Sequence, residues 1–115
     1  MRTPNDFQRL YNEGMSLVNA GEYSRAIPKF EHVLMSPDLP VCARVHAHYG
    51  IVKSIIDPTK ASTIKECLQK LSVAEREALR KHVEEMHRLV GQLSDEEFQE
   101  ESTNDAYNYV FPFLA

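Results

Sequence analysis

Cysteine is scarce in this chain of 115 residues: Cys42 and Cys67 are its only two, and they form no Cys-x-x-Cys pair. That excludes a scaffold built on disulfides and predicts two reduced thiols packed within helices. Long apolar runs are missing as well. The first twenty residues, opening Met-Arg-Thr-Pro-Asn-Asp-Phe, are polar and broken, so the expectation is a cytoplasmic protein with neither a secretory leader nor a membrane anchor. There is no Gly-rich phosphate loop, His-Glu-x-x-His pattern or Gly-x-Ser-x-Gly elbow. The expectation is therefore a protein that is not an enzyme and carries no cofactor.

Basic residues are absent from one region only. Residues 94–115 hold six acidic side chains and no lysine or arginine, so this tail accounts for the net charge of −4 and leaves the remainder nearly neutral. A neutral body lacks the clustered basic face that nucleic acid requires. Five histidines are present. Cys42 and His46, four apart on an expected helix, offer half of a zinc site, and two ligands do not complete one, so no metal is expected. His48 falls on another face, His82 and His87 are five apart, and His32 is isolated; ordinary partly buried or surface imidazoles are expected. The neighbouring carboxylates Glu84–Glu85 and Glu96–Glu97 point about 100° apart on a helix, which suits solvated faces rather than an acid–base pair.

What the chain does contain is helical pattern. Asp6 can cap a helix over about 7–20, and Gly21 can end it in the left-handed conformation that glycine adopts at little cost. A second helix follows at about 23–35, with a slight bend expected at Pro28. Ser36-Pro-Asp-Leu-Pro40 breaks the chain, and Val41–Ile56 reads as a third helix stopped by Asp57-Pro58. A fourth is expected at about 60–71. Ser72-Val-Ala-Glu75 is a capping box opening a fifth, at about 73–92. Its Leu79, Val83, Met86, Val90 and Leu93 make one narrow apolar stripe, suited to covering the last helix of a stack or to pairing with a second copy of itself.

Residues 11–36 place small and large apolar groups as two antiparallel helices need them. Gly14 and Ala26 permit close approach, while Leu17, Tyr23, Phe30 and Val33 fill the space between the helices. With Gly14, Gly21, Tyr23 and the Ala26-x3-Phe30 pair in register, residues 7–36 resemble a tetratricopeptide repeat. Leu10 stands where that family has Trp, Glu13 replaces a Leu, and Pro37 comes one residue early. Tyr49-Gly50 then opens a degenerate second repeat over about 41–71, in which Thr63-Ile64, Cys67 and Leu71 take the places of Ala26-Ile27, Phe30 and Leu34. A plain antiparallel helix pair fits the same pattern.

The resemblance implies an all-α fold of antiparallel hairpins with a capping helix, residues 1–93 forming the domain and 94–115 a tail. It also implies a partner-binding groove along the first helix of each repeat. The groove positions fall on Gln8, Tyr11, Met15, Val18 and Asn19, and on Arg44, Ala47, Ile51, Ser54 and Ile55. Members that bind chaperone tails grip a carboxylate with a Lys and an Asn; here Tyr11 and Met15 hold those places, so the clamp is missing. The function implied is an adaptor or scaffold, co-chaperone-like, that binds an apolar peptide or helix of another protein. A structural subunit or homodimer assembling through 73–93 and the tail is the alternative. The opening Gly-x-Tyr-x-x-Ala-Ile also occurs in microtubule-interacting and transport modules, but the break at 37–40 is too early for their longer second helix.

In the tail, Ser94-Asp-Glu-Glu97 is a second capping-box pattern, predicting a short helix over about 95–101. Beyond it, Tyr107, Tyr109, Phe111 and Phe113 alternate with other residues. Pro112 suggests an extended segment with all four rings on one side. Burial of each ring is worth about 1.5–3 kcal/mol, so the tail is expected to dock, either on its own body or in a partner.

Overall fold

The glycine expected to end the first helix does so. A computed structural model describes residues 6–36, 39–96, 101–110 and 112. In it α1 (Asp6–Asn19) closes at Gly21, whose φ is +78°. The Glu22 amide donates to the Leu17 carbonyl at 2.8 Å and the Gly21 amide to that of Val18 at 3.0 Å. These are the paired bonds of a Schellman motif, and only glycine occupies its left-handed position without strain. The turn sends α2 (Tyr23–Leu34) back along α1. Pro28 lies inside α2 on its exposed side, and the helix continues through it.

Helix α3 (Val41–Ile56) begins directly after Pro40 and stops at Asp57-Pro58, which form a 3-10 turn (Asp57–Thr59). Lys60 follows in the left-handed region, with φ +53°. This helix packs against α1, α2 and two later helices, α5 (Val73–Val90) and α6 (Glu101–Val110). Its buried positions run around much of its circumference, from Val45 and Ala47 to Val52 and Ile55. A helix apolar nearly all round belongs at the centre of its domain. Ser54 is buried there at no loss, because its hydroxyl donates to the Gly50 carbonyl at 2.8 Å.

The fourth helix is shorter than the sequence suggests. α4 spans Ile64–Lys70, not 60–71, because the Thr63 hydroxyl accepts from the Glu66 amide at 3.1 Å and sets the start there. Of the residues aligned with a second repeat, Cys67 and Leu71 are buried while Thr63 and Ile64 are exposed.

The capping box of α5 (Val73–Val90) is complete: the Glu75 amide donates to the Ser72 hydroxyl at 3.1 Å, and the Ser72 amide to the Glu75 carboxylate at 3.0 Å. The bond from the Ser72 amide first, and then the Ser72 side chain, hold the Glu75 carboxyl below its ordinary pKa. Leu79, Val83 and Met86 face inward as expected, but the stripe continues through Leu89, with Val90 and Leu93 half-buried. A strict four-three repeat drifts around a straight helix, and Leu93 already lies in the turn beyond its end.

The tail departs most from expectation. Residues 101–110 form a helix, α6 (Glu101–Val110), so 106–110 are helical where an extended segment is expected. Proline restricts its own position and the residue before it, so Pro112 leaves residues 101–110 free to be helical. Ala106 and Val110, four apart, are 1% and 0% exposed and join the core shared by α3 and α5. Asp95 and Glu96 are helical and residue 101 opens α6; the rest of the expected short helix, 97–100, and Phe111 and Phe113 lie outside the described residues. All the described regular structure is helical, and no helix among the described residues is long and apolar enough to cross a membrane.

No disulfide joins the two cysteines, of which Cys67 is buried and Cys42 half-buried. Phe30, fully buried, fills the junction of α1, α2 and α3. A Cβ placed on Gly14 would lie 2.8 Å from its Cε1 and Cζ, and one on Gly50 would lie 2.5 Å from Cζ. The two helix glycines thus let one ring wedge between α1 and α3.

Candidate functional site

An open cleft of about 380 Å³ lies between the first halves of α1 and α3. Phe7, Gln8 and Tyr11 form one wall, and Cys42, Ala43 and His46 the other, with Val33 and Pro40 also lining it. Their spacing explains the shape. Residues 7, 8 and 11 recur at three to four along α1, as do 42, 43 and 46 along α3, so each helix turns one side toward the other.

Tyr11 joins this cleft to the core. Its ring centroid is 5.8 Å from that of His46, edge-on at 73°, and 5.7 Å from that of Phe30. Burial pushes its phenol up to about 12, with Tyr49 and Cys42 adding smaller effects in the same direction. Among the described residues, the lining contains no lysine or arginine. It therefore offers aromatic and apolar surface with a few neutral polar groups, the usual chemistry of a pocket for an uncharged ligand.

The groove positions implied by the repeat resemblance divide into three. Gln8 and Tyr11 line the cleft. Gln8 and Asn19 are exposed, the former donating to Asn12 at 3.1 Å, and Met15 and Arg44 are half-buried. Val18, Ile51 and Ile55 are 4%, 2% and 8% exposed within the main core, so they present no surface to a partner. Ala47 and Ser54 are buried too. The cleft residues Phe7, Cys42, Ala43 and His46 were not among the implied positions. Their i, i+3 and i+4 spacing on two helices would have identified a common side, but not which side remains open.

Cys42 and His46 share that side as the sequence indicates; among the described residues no three His, Cys, Asp or Glu side chains converge as a metal site. His48 and His82, which the sequence leaves unconnected, meet across α3 and α5 with their Nδ1 atoms 2.8 Å apart.

The two described tail tyrosines dock on the chain itself, on different partners. Tyr109 stands edge-on to Tyr49, with centroids 5.6 Å apart at 89°, and its hydroxyl donates to the Asp57 carboxylate. Lys53 pairs with Asp57 at 2.9 Å while its ammonium lies 4.9 Å from the Tyr109 ring centre. Burial first, then the bond to Asp57, raises the Tyr109 phenol far above its ordinary value. Tyr107 instead reaches His87, hydroxyl to Nδ1 at 3.0 Å. On a helix, residues two apart point to opposite sides, so the rings do not form the single face that an extended tail would give.

No family model, curated protein or solved structure matches the chain.

Proposed function

We propose that the chain is a non-catalytic protein–protein interaction module, tetratricopeptide-like, that takes an apolar peptide or helix of another protein between α1 and α3. The open cleft lined by Phe7, Tyr11, Ala43 and His46 carries this reading. It lies along α1 and α3, the two helices on which the resemblance would put a ligand groove. No lysine or arginine occurs among its described lining residues, in keeping with the missing carboxylate clamp, so an internal apolar or aromatic segment suits it better than a chain terminus. No cofactor enters the reading.

The alternative, assembly through the fifth helix and the tail, has less surface behind it. Leu79, Val83 and Met86 of α5, and Ala106 and Val110 of α6, are already covered within the chain.

Selection of displayed random peptides on the wild type and on Ala43→Asp tests the reading. Ala43 is the third residue of α3, where the helix dipole favours a carboxylate, so the fold should tolerate the change while the cleft gains a charge. Aromatic or aliphatic peptides retained by the wild type and weakened at least tenfold by Ala43→Asp are expected. Failure to select any sequence class, or equal binding by both proteins, would remove the cleft as the binding site.

A further inference from the structure

Two histidines 34 residues apart meet where α3 packs on α5. The Nδ1 atoms of His48 and His82 are 2.8 Å apart and the ring centroids 5.0 Å apart, with both rings half-buried. A contact between two ring nitrogens has room for one hydrogen. One imidazole donates from Nδ1–H, and the other accepts on a bare Nδ1. A first added proton can be carried on the far nitrogens with the contact intact. A second must enter the gap itself, setting two N–H groups and two positive charges against each other.

We propose that the His48–His82 pair is a proton-sensitive lock on the α3–α5 interface: it closes when neutral and, on acidification, loosens α5 together with α6, which rests on both helices. The surroundings reinforce the neutral state. Burial is the main influence on each ring, lowering His48 to about 4 and His82 below its ordinary value. From α3, Arg44 opposes protonation of His48; from α5, Arg88 acts likewise and Lys81 opposes protonation of His82. Glu85 on α5 and Glu31 on α2 act the other way, on His48 and His82 respectively, but do not outweigh burial. Glu85 is itself committed to Arg88.

The sign follows from linkage. A histidine whose folded pKa is depressed binds protons more readily when released, so closure is fully favoured above the unfolded value of about 6.5 and lost as pH falls toward the folded value. For His48, whose folded value is about 4, the closed state loses about tenfold per pH unit over that interval, about 300-fold in all. Val83 and Met86 of α5 and Val45 and Val52 of α3, each within about one turn of its helix's histidine, are buried where α3 and α5 pack, so opening that interface would expose them.

Imidazole titrations by NMR on the full chain, with amide hydrogen exchange from pH 7.5 to 4.5 corrected for intrinsic rates, test the lock. Expected are depressed, mutually dependent titrations of His48 and His82 and a selective loss of protection in α5 and α6 while α1 and α2 hold. Replacing both, His48→Gln with His82→Gln, should flatten the acid dependence of exchange in α5; His32→Gln should leave it as in the wild type. Independent titrations near 6.5 would overturn the proposal without any variant. So would equal loss of protection in all helices, or an undiminished acid response in the double variant.

Discussion

Replacing Gly50 by alanine should destabilise this protein, although alanine is the better helix former. Phe30 is completely buried, and its Cζ would lie 2.5 Å from the new methyl carbon. Carbon atoms in good contact stand about 3.5–4.0 Å apart, so the ring would have to retreat by about 1 Å. The same edge of the ring already meets Gly14 of α1, where a Cβ would be 2.8 Å away. Retreat therefore presses on α1. Overpacking of this kind costs about 1–3 kcal/mol, and the gain in helix propensity returns about 1 kcal/mol. Taking the upper end for so close an approach leaves a net loss of about 2 kcal/mol, or roughly 8 °C in Tm at about 4 °C per kcal/mol. The chain has no tryptophan, so urea and thermal unfolding are best followed by far-UV circular dichroism. Gly14→Ala should cost less. In a Phe30→Leu background, where the ring is gone, Gly50→Ala should lose most of its penalty. A neutral or stabilising Gly50→Ala, or one that costs the same with and without the ring, would refute the wedge.

Two further outcomes follow from the tyrosines. Tyr109→Phe removes the hydroxyl bonded to Asp57 while leaving the ring against Tyr49 and Asp57 still paired with Lys53. A loss of about 1–2 kcal/mol in urea unfolding, with early hydrogen exchange confined to α6, is expected; no change in α6 protection would show that the hydroxyl does not hold the helix. Tyr11 is raised from 10 to about 12, so the folded state favours the neutral phenol: its contribution is complete below pH 10 and is lost as pH rises toward 12, about 3 kcal/mol in all. Phenolate absorbance of the folded protein should therefore rise late for Tyr11, and a Tyr11→Phe variant should unfold less steeply above pH 10.

Much of the helical framework was legible because its punctuation is local. Gly21, Pro40, Asp57-Pro58 and the Ser72–Glu75 box act within one turn of the chain, and α1, α2, α3 and α5 begin or end at them. The same reasoning failed at α4, where Thr63 is the cap and lies three residues beyond the expected start. It failed again at the tail because alternating rings drew more weight than Ala106 and Val110, whose four-residue spacing was the helical signal. Which part of the groove stays open could not be read at all. That depends on where α5 and α6 come to rest, and the contacts concerned, such as Tyr109 to Asp57 and His48 to His82, join residues 52 and 34 apart.

On the proposed reading, the burial pattern along α1 and α3 divides stability from binding. Val18, Ile51 and Ile55 are sealed in the core, and each such side chain contributes about 1.5–3 kcal/mol by leaving water. A partner reaching them would first have to displace what covers them, so on the proposed reading only the Phe7–Tyr11–Ala43–His46 end can take a ligand without that loss. Tyr11 lies at the boundary. It touches His46 at the cleft and Phe30 behind it, and Phe30 is the ring wedged between Gly14 and Gly50. A ligand that immobilises Tyr11 thus bears on the same packing that holds α1 to α3. Binding at the cleft should raise the resistance of the α1–α3 contact to opening, whereas a ligand attached elsewhere would leave it unchanged.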